Sequence, residues 1–201
     1  MAVTLAEVMW DVRAAIELYA QGWFPMDHPL EPVLPWYAPE ERAVFALDPA
    51  SRAAVRRRVR RSLARTRELE LRMDGAFAAV LEACAAPRGP EDGQWMTPRL
   101  RSLYRALHAE GWAHSWELWR GEELAAGILG VSVGRAAMLE SMFHRVPDSG
   151  NALLSRTLDL LGEAGVELCD IQLPTEHTLR LGASLIPRAE YEDRLGGALR
   201  S

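Results

Sequence analysis

The chain has 201 residues, 49% hydrophobic content and a formal net charge of −5. This allows one sizeable core or two small domains and excludes a uniformly basic coat for nucleic acid, though not a local basic patch. Lysine is absent, since all 23 Lys+Arg positions are arginine; that excludes a phosphate-loop lysine and an imine-forming lysine, and with them P-loop hydrolysis and pyridoxal chemistry. Cys84 and Cys169 alone build no disulfide scaffold, and Glu7, Asp11 and Arg13 interrupt any leader-like apolar run. A reducing compartment, the cytoplasm, is therefore expected. No apolar run reaches the roughly 18–20 residues of a spanning helix, so no membrane partner is expected.

Residues 1–20 carry a helical apolar stripe (Leu5, Val8, Met9, Val12, Ile16, Leu18), with Thr4 placed as its cap and Gly22 as its stop. Pro25, Pro29, Pro32 and Pro35 then impose an extended path that leads to Trp36-Tyr37. An aromatic pair in so rigid a loop can stack on a base or plug the core beneath the loop. Residues 42–47 read as a strand and 48–51 as a turn and cap. From 52 to 63 a narrow seam of Val55, Val59 and Leu63 is set among six arginines, including Arg56, Arg57 and Arg60. A charge run is ordinarily a solvated face. A run of one sign without interleaved acid, inside an acidic chain, points instead to a polyanion partner.

Residues 68–73 alternate like a strand, 77–86 form an apolar helix ended by Pro87, and 88–93 form a loop. Thr97 caps a helix that has Pro98 at its first position and stops at Gly111. Strands follow at 113–119, 124–133 and 135–143, then a helix at 151–164, a strand at 167–173, a short helix from Glu176 and a terminal segment at 186–191. Strands and helices mix without strict βαβ alternation. The expectation is an α+β protein built on a mixed sheet with helices on both faces.

Three chemical features stand out. Asp170 and Gln172 lie two apart on the strand at 167–173, so both project from one face. A carboxylate that orients an amide, whose oxygen touches an amine, can position that nucleophile and help remove its proton; the same pair could equally cap neighbouring loops. Glu140 ends an otherwise apolar strand, where a carboxylate needs a partner. Arg135 or Arg145 could serve, or an incoming guanidinium that binds it bidentately. The five histidines show no metal spacing and the cysteines are lone, so no metal is expected.

Several segments together resemble the leucyl/phenylalanyl-tRNA–protein transferase family: residues 19–26 (YAQGWFPM), 36–39 (WYAP) with Arg42, 77–85, Trp95-Met96, 107–111, 113–117 (AHSWE), Gly134-Arg135, 140–143 (ESMF), Asp170-Ile171-Gln172, His177, 181–183 and 186–188. They occur in the family's order and cover most of the chain. The resemblance implies an aminoacyltransferase that takes leucine or phenylalanine from leucyl- or phenylalanyl-tRNA. The acceptor is a protein or peptide with N-terminal Arg or Lys, which is thereby marked for degradation through an N-degron. It implies a small N-terminal α+β domain (1–50) and a domain similar to the N-acetyltransferase (GNAT) fold and the peptidoglycan-bridge aminoacyltransferases (51–201), which opens with the arginine helix. The aminoacyl ester is already activated, so no cofactor, ATP or metal is implied.

The resemblance also assigns roles to residues. Asp170 and Gln172 would be catalytic and Glu140 would bind the acceptor. Met142 and Leu154 would line the aminoacyl pocket. Trp36 and Trp95 would stack on the terminal adenosine of the tRNA, for roughly 1–3 kcal/mol per base. Arg56, Arg57 and Arg60 would meet the tRNA backbone. The chain departs from the family pattern at Tyr37, where a second tryptophan is usual, at Ala136-Ala137, where aromatic residues are frequent, and at 148–151, where an Ala-Ser-Lys run is usual. These positions flank the implied aminoacyl pocket, so the preferred amino acid does not carry over. Two other readings compete. An acyl-CoA N-acetyltransferase of the same fold would need a Gln/Arg-x-x-Gly-x-Gly/Ala loop, and residues 145–151 have the wrong spacing for it. A tRNA-binding module without activity rests only on the arginine helix and the tryptophans.

Overall fold

The computed structural model describes residues 10–87 and 95–200. Its elements in chain order are α1 (Val12–Ala20), β1 (Phe24–Pro25), β2 (Trp36–Tyr37), β3 (Glu41–Phe45), α2 (Pro49–Arg58), α3 (Arg60–Arg65), β4 (Glu70–Met73), α4 (Phe77–Ala85), α5 (Pro98–Ala109), β5 (Ala113–Arg120), β6 (Glu123–Val133), β7 (Ala136–His144), α6 (Ser149–Glu163), β8 (Leu168–Asp170), α7 (Glu176–Leu181), β9 (Ser184–Pro187) and α8 (Arg188–Arg200). A seven-stranded sheet runs in the order β4-β5-β6-β7-β8-β3-β9. Its neighbours are antiparallel except for the parallel pair β7 and β8. Helices cover both faces, as the mixed pattern requires. One apolar core gathers residues of α1, α4, α5 and α8, and the other gathers residues of α2 and α6.

Local chemistry explains most boundaries. The Thr97 side chain accepts from the Leu100 amide and Pro98 occupies the first turn, an arrangement worth about 1 kcal/mol relative to an uncapped end. Asp48 caps α2 in the same way. Asp11, not Thr4, caps α1 among the described residues. Thr4 and the loop expected at 88–93 lie outside the described residues. The expected helix over 52–63 is two helices that meet at Val59.

Two expectations near the C-terminus are corrected. The strand expected at 167–173 ends at Asp170. The Asp170 side chain accepts from the amide two residues on, that of Gln172, at 2.7 Å, and Gln172 takes φ +57; this local turn competes with the sheet and ends it. The terminal segment is β9 followed by α8, whose Gly196-Gly197 pair disguises it in sequence. Tyr191, Leu195 and Ala198 are buried along one stripe and bind α8 to the core. β3, from the first fifty residues, lies between β8 and β9, and α1 shares a core with α5 and α8. Residues on either side of position 50 therefore share one sheet.

Candidate active site

β7 and β8 pair over only three positions, the last being Met138↔Asp170. β8 then stops while β7 runs on against β6 to His144. The strands part, and a cavity of about 640 Å³ opens between residues 139–142 and 171–173. Phe24, Phe45, Ile128, Met142 and Leu154 make much of its wall apolar, and Trp95, Glu140, Gln172 and His177 border it as well.

Glu140 owes its aim to a β-bulge. The β6–β7 register passes from Leu129↔Ser141 to Gly130↔Leu139, so Glu140 is the extra residue, and a bulge re-aims the side chain it carries. Gly130 makes this possible. A Cβ there would lie 2.7 Å from the Met138 carbonyl oxygen and 2.8 Å from the Trp116 ring, closer than real Cβ atoms come. The Glu140 side chain is part-buried. Its carboxyl group interacts with the hydroxyls of Tyr19 and Tyr104; Oε1 and both hydroxyl oxygens are sealed from solvent, and none of the three completes a hydrogen bond of ordinary geometry. Burial pushes the Glu140 carboxyl up to about 8; the neighbouring Asp170 charge adds to this, and the Tyr19 hydroxyl and Arg42 oppose it. Burial and the Glu140 charge likewise raise both tyrosines above their ordinary value. The partners expected within the chain are engaged elsewhere. Arg135 pairs with Glu167 at 2.8 Å, and the Arg145 guanidinium lies over the Phe143 ring.

Asp170 is fully buried. Its oxygens accept from Arg42 Nε (3.0 and 3.1 Å) and Nη2 (2.7 Å), from the Tyr191 hydroxyl (2.9 Å) and from the Gln172 amide (2.7 Å). Arg42 also donates to the Gly22 carbonyl at 2.8 Å, and its guanidinium lies over the rings of Phe24 and Tyr191. Burial disfavours that cation, yet the facing carboxylate outweighs the penalty and raises its pKa. This corrects the expected geometry. Asp170 and Gln172 do not share a strand face, and the carboxylate grips the Gln172 backbone rather than its side-chain amide. With its amide oriented to suit its neighbours, Gln172 donates to the Leu139 and Ile171 carbonyls at 3.0 Å each; its oxygen is then the end left to accept, and the residue lines the cavity.

The remaining expected residues divide. Met142, Leu154 and Trp95 line the cavity, and Trp36 does not. Trp36 packs edge-on against Tyr19, with ring centroids 5.4 Å apart. Arg56 pairs with Asp159 of α6, so acids absent from the arginine run arrive from another helix. Arg57 and Arg60 are exposed and make no ion pair among the described residues. No group of three His, Cys, Asp or Glu is placed to hold a metal among the described residues. The network of Arg42, Tyr191, Tyr19 and Tyr104 escaped sequence reasoning. The signals for it were Tyr19 and Arg42 among the family-like segments, to which no role was attached, and the lone arginine at the start of an otherwise apolar run.

Residues 47–196 match the family model described as leucyl/phenylalanyl-tRNA protein transferase. Proteins named leucyl/phenylalanyl-tRNA–protein transferase include one from Synechococcus sp. (strain JA-3-3Ab), 38% identical over 94% of this chain and 95% of its own length. Another, from Anaeromyxobacter sp. (strain K), is 43% identical over 90% of this chain and 76% of its own. Among solved structures the chain is similar in fold to FemX, with a TM-score of 0.55 over 90% of this chain and 68% of that one, at 12% identity. A mixed sheet that splays around an apolar cavity, together with relatives so named, defines the class as aminoacyltransferase. Within that class the chain belongs to the leucyl/phenylalanyl-tRNA–protein transferase family.

Proposed function

We propose that this enzyme moves leucine or phenylalanine from its charged tRNA to the N-terminus of proteins that begin with arginine or lysine, and so marks them for degradation. The observation that carries this reading is the cavity itself, an apolar pocket that closes on one carboxylate and one amide. Met142 and Leu154 receive the aminoacyl side chain. Trp95 at the cavity wall and Trp36 behind it take the terminal adenosine, and Arg56, Arg57 and Arg60 meet the tRNA backbone without reading sequence. Glu140 pairs with the cationic first side chain of the acceptor. The Gln172 amide oxygen holds the acceptor's α-amine, which must be neutral to attack and has a reference pKa near 8. Asp170 is a positioning residue that fixes the turn carrying Gln172. The amine nitrogen bonds to the acyl carbon as the ester C–O bond breaks, and the ribose oxygen leaves with a proton.

The test is incubation with charged leucyl- or phenylalanyl-tRNA and an Arg-starting peptide, with no ATP or metal, beside a parallel incubation with acetyl-CoA. Aminoacyl transfer to the peptide is expected. Acetyl transfer, or no transfer to Arg- and Lys-starting peptides, would overturn the proposal.

A further inference from the structure

Glu140 sits in an arrangement unusual for a cation-binding carboxylate. Among the described residues the cation beside it is Arg42, which is saturated by Asp170, by the Gly22 carbonyl and by two aromatic faces. The groups packed around Glu140 are Tyr19 on α1, Tyr104 on α5, Asp170 on β8 and Tyr191 on α8, with Arg42 on β3. Apart from Arg42 these are hydroxyls or a like charge. Arg42 and the two tyrosine hydroxyls favour an ionised Glu140, but burial and the Asp170 charge outweigh them, and its sealed Oε1 completes no hydrogen bond. A carboxylate in that position is more stable with its proton on.

We propose that the Tyr19–Tyr104–Glu140 cluster exchanges a proton for a cation: Glu140 is uncharged in the empty site and releases its proton when the guanidinium or ammonium of the acceptor's first side chain arrives. This rests on the reading of Glu140 as the acceptor site. The exchange gives selectivity. A neutral first side chain cannot ionise Glu140, so it meets a protonated carboxyl with no charge to offer. A cation replaces the proton one for one and keeps the buried charge balanced. The two tyrosine hydroxyls can turn to accept from the protonated acid or to donate to the carboxylate, and this makes both states tolerable.

Calorimetry tests this with a peptide whose first residue is desamino-arginine. Such a peptide keeps the guanidinium and lacks the α-amine, so any proton released on binding comes from the enzyme. Titrations in buffers of different ionisation enthalpy read the proton count. With the Glu140 carboxyl at about 8, about 0.9 protons should leave per peptide bound at pH 7 and about 0.1 at pH 9, and affinity should rise about tenfold between them. Glu140→Gln should abolish the pH dependence. Binding with no proton release at pH 7 overturns the exchange and leaves the acceptor reading intact. Absence of binding, together with absence of transfer to Arg-starting peptides, overturns the acceptor reading and the exchange with it. As a measurement that needs no variant or ligand, carbon-13 NMR of the free enzyme should show the Glu140 carboxyl titrating near 8, and a midpoint near 4.5 would refute the proposal.

Discussion

Asp170→Asn keeps the shape of the side chain and removes its charge, which isolates what the carboxylate does. Each oxygen of Asp170 faces a donor that cannot turn away: Gln172 N–H at 2.7 Å on Oδ1, and Arg42 Nη2 at 2.7 Å on Oδ2. Whichever position the new NH₂ takes, it opposes one of them. The guanidinium of Arg42, only 2% exposed, then has no counter-charge. Breaking a buried pair in this way costs about 3–5 kcal/mol. At roughly 2–4 °C per kcal/mol for a chain of this size, the thermal midpoint should fall by about 6–20 °C. Transfer should fall too, because the turn that carries Gln172 loses its anchor. Circular dichroism melts read the first effect and peptide aminoacylation below the melt reads the second. Arg42→Met combined with Asp170→Asn should cost less than the two single changes summed, since the isolated charge is gone. A midpoint within about 2 °C of the parent would refute the reasoning, and a rate loss rescued by raising pH would return Asp170 to direct proton transfer.

Other substitutions probe the rest of the site. Trp36→Ala should raise the KM for charged tRNA by the equivalent of about 1–3 kcal/mol with little change for the acceptor peptide; an equal effect on both substrates would make its contact with Tyr19 the whole of its role. Arg57→Ala with Arg60→Ala should flatten the dependence of tRNA affinity on salt by about 1–2 units of log–log slope, measured by filter binding, and an unchanged slope would make these arginines a solvated face. Glu140 also predicts how stability varies with pH. Its folded pKa of about 8 stands above the ordinary 4.5, so between those values the folded chain holds a proton that the unfolded chain has lost, and stability falls as pH rises through that window. Glu140→Gln should escape this, and its advantage in thermal midpoint over the parent should widen from pH 5 to pH 8. Parallel curves would count against the raised pKa.

What the sequence determined by itself is local. Thr97-Pro98 caps its helix, the hairpin at 124–143 follows its apolar pattern and Gly134, and the arginine run is helical, because each depends on backbone geometry and on neighbours a few residues away. The family motifs also placed Glu140, Met142, Leu154 and Gln172 near one site. Only the tertiary structure decided what these groups can do. Periodicity assumes an unbroken strand, so it could not show the bulge that re-aims Glu140 or the turn by which Asp170 ends β8 and breaks the shared face with Gln172. Nor could spacing show that Arg42 reaches Asp170 across 128 positions, or that α8, with its two glycines, supplies Tyr191. The charge states are further still from the sequence. A carboxyl is pushed up or held down by what is buried around it, and for Glu140 those neighbours come from α1, α5, β3, β8 and α8 at once.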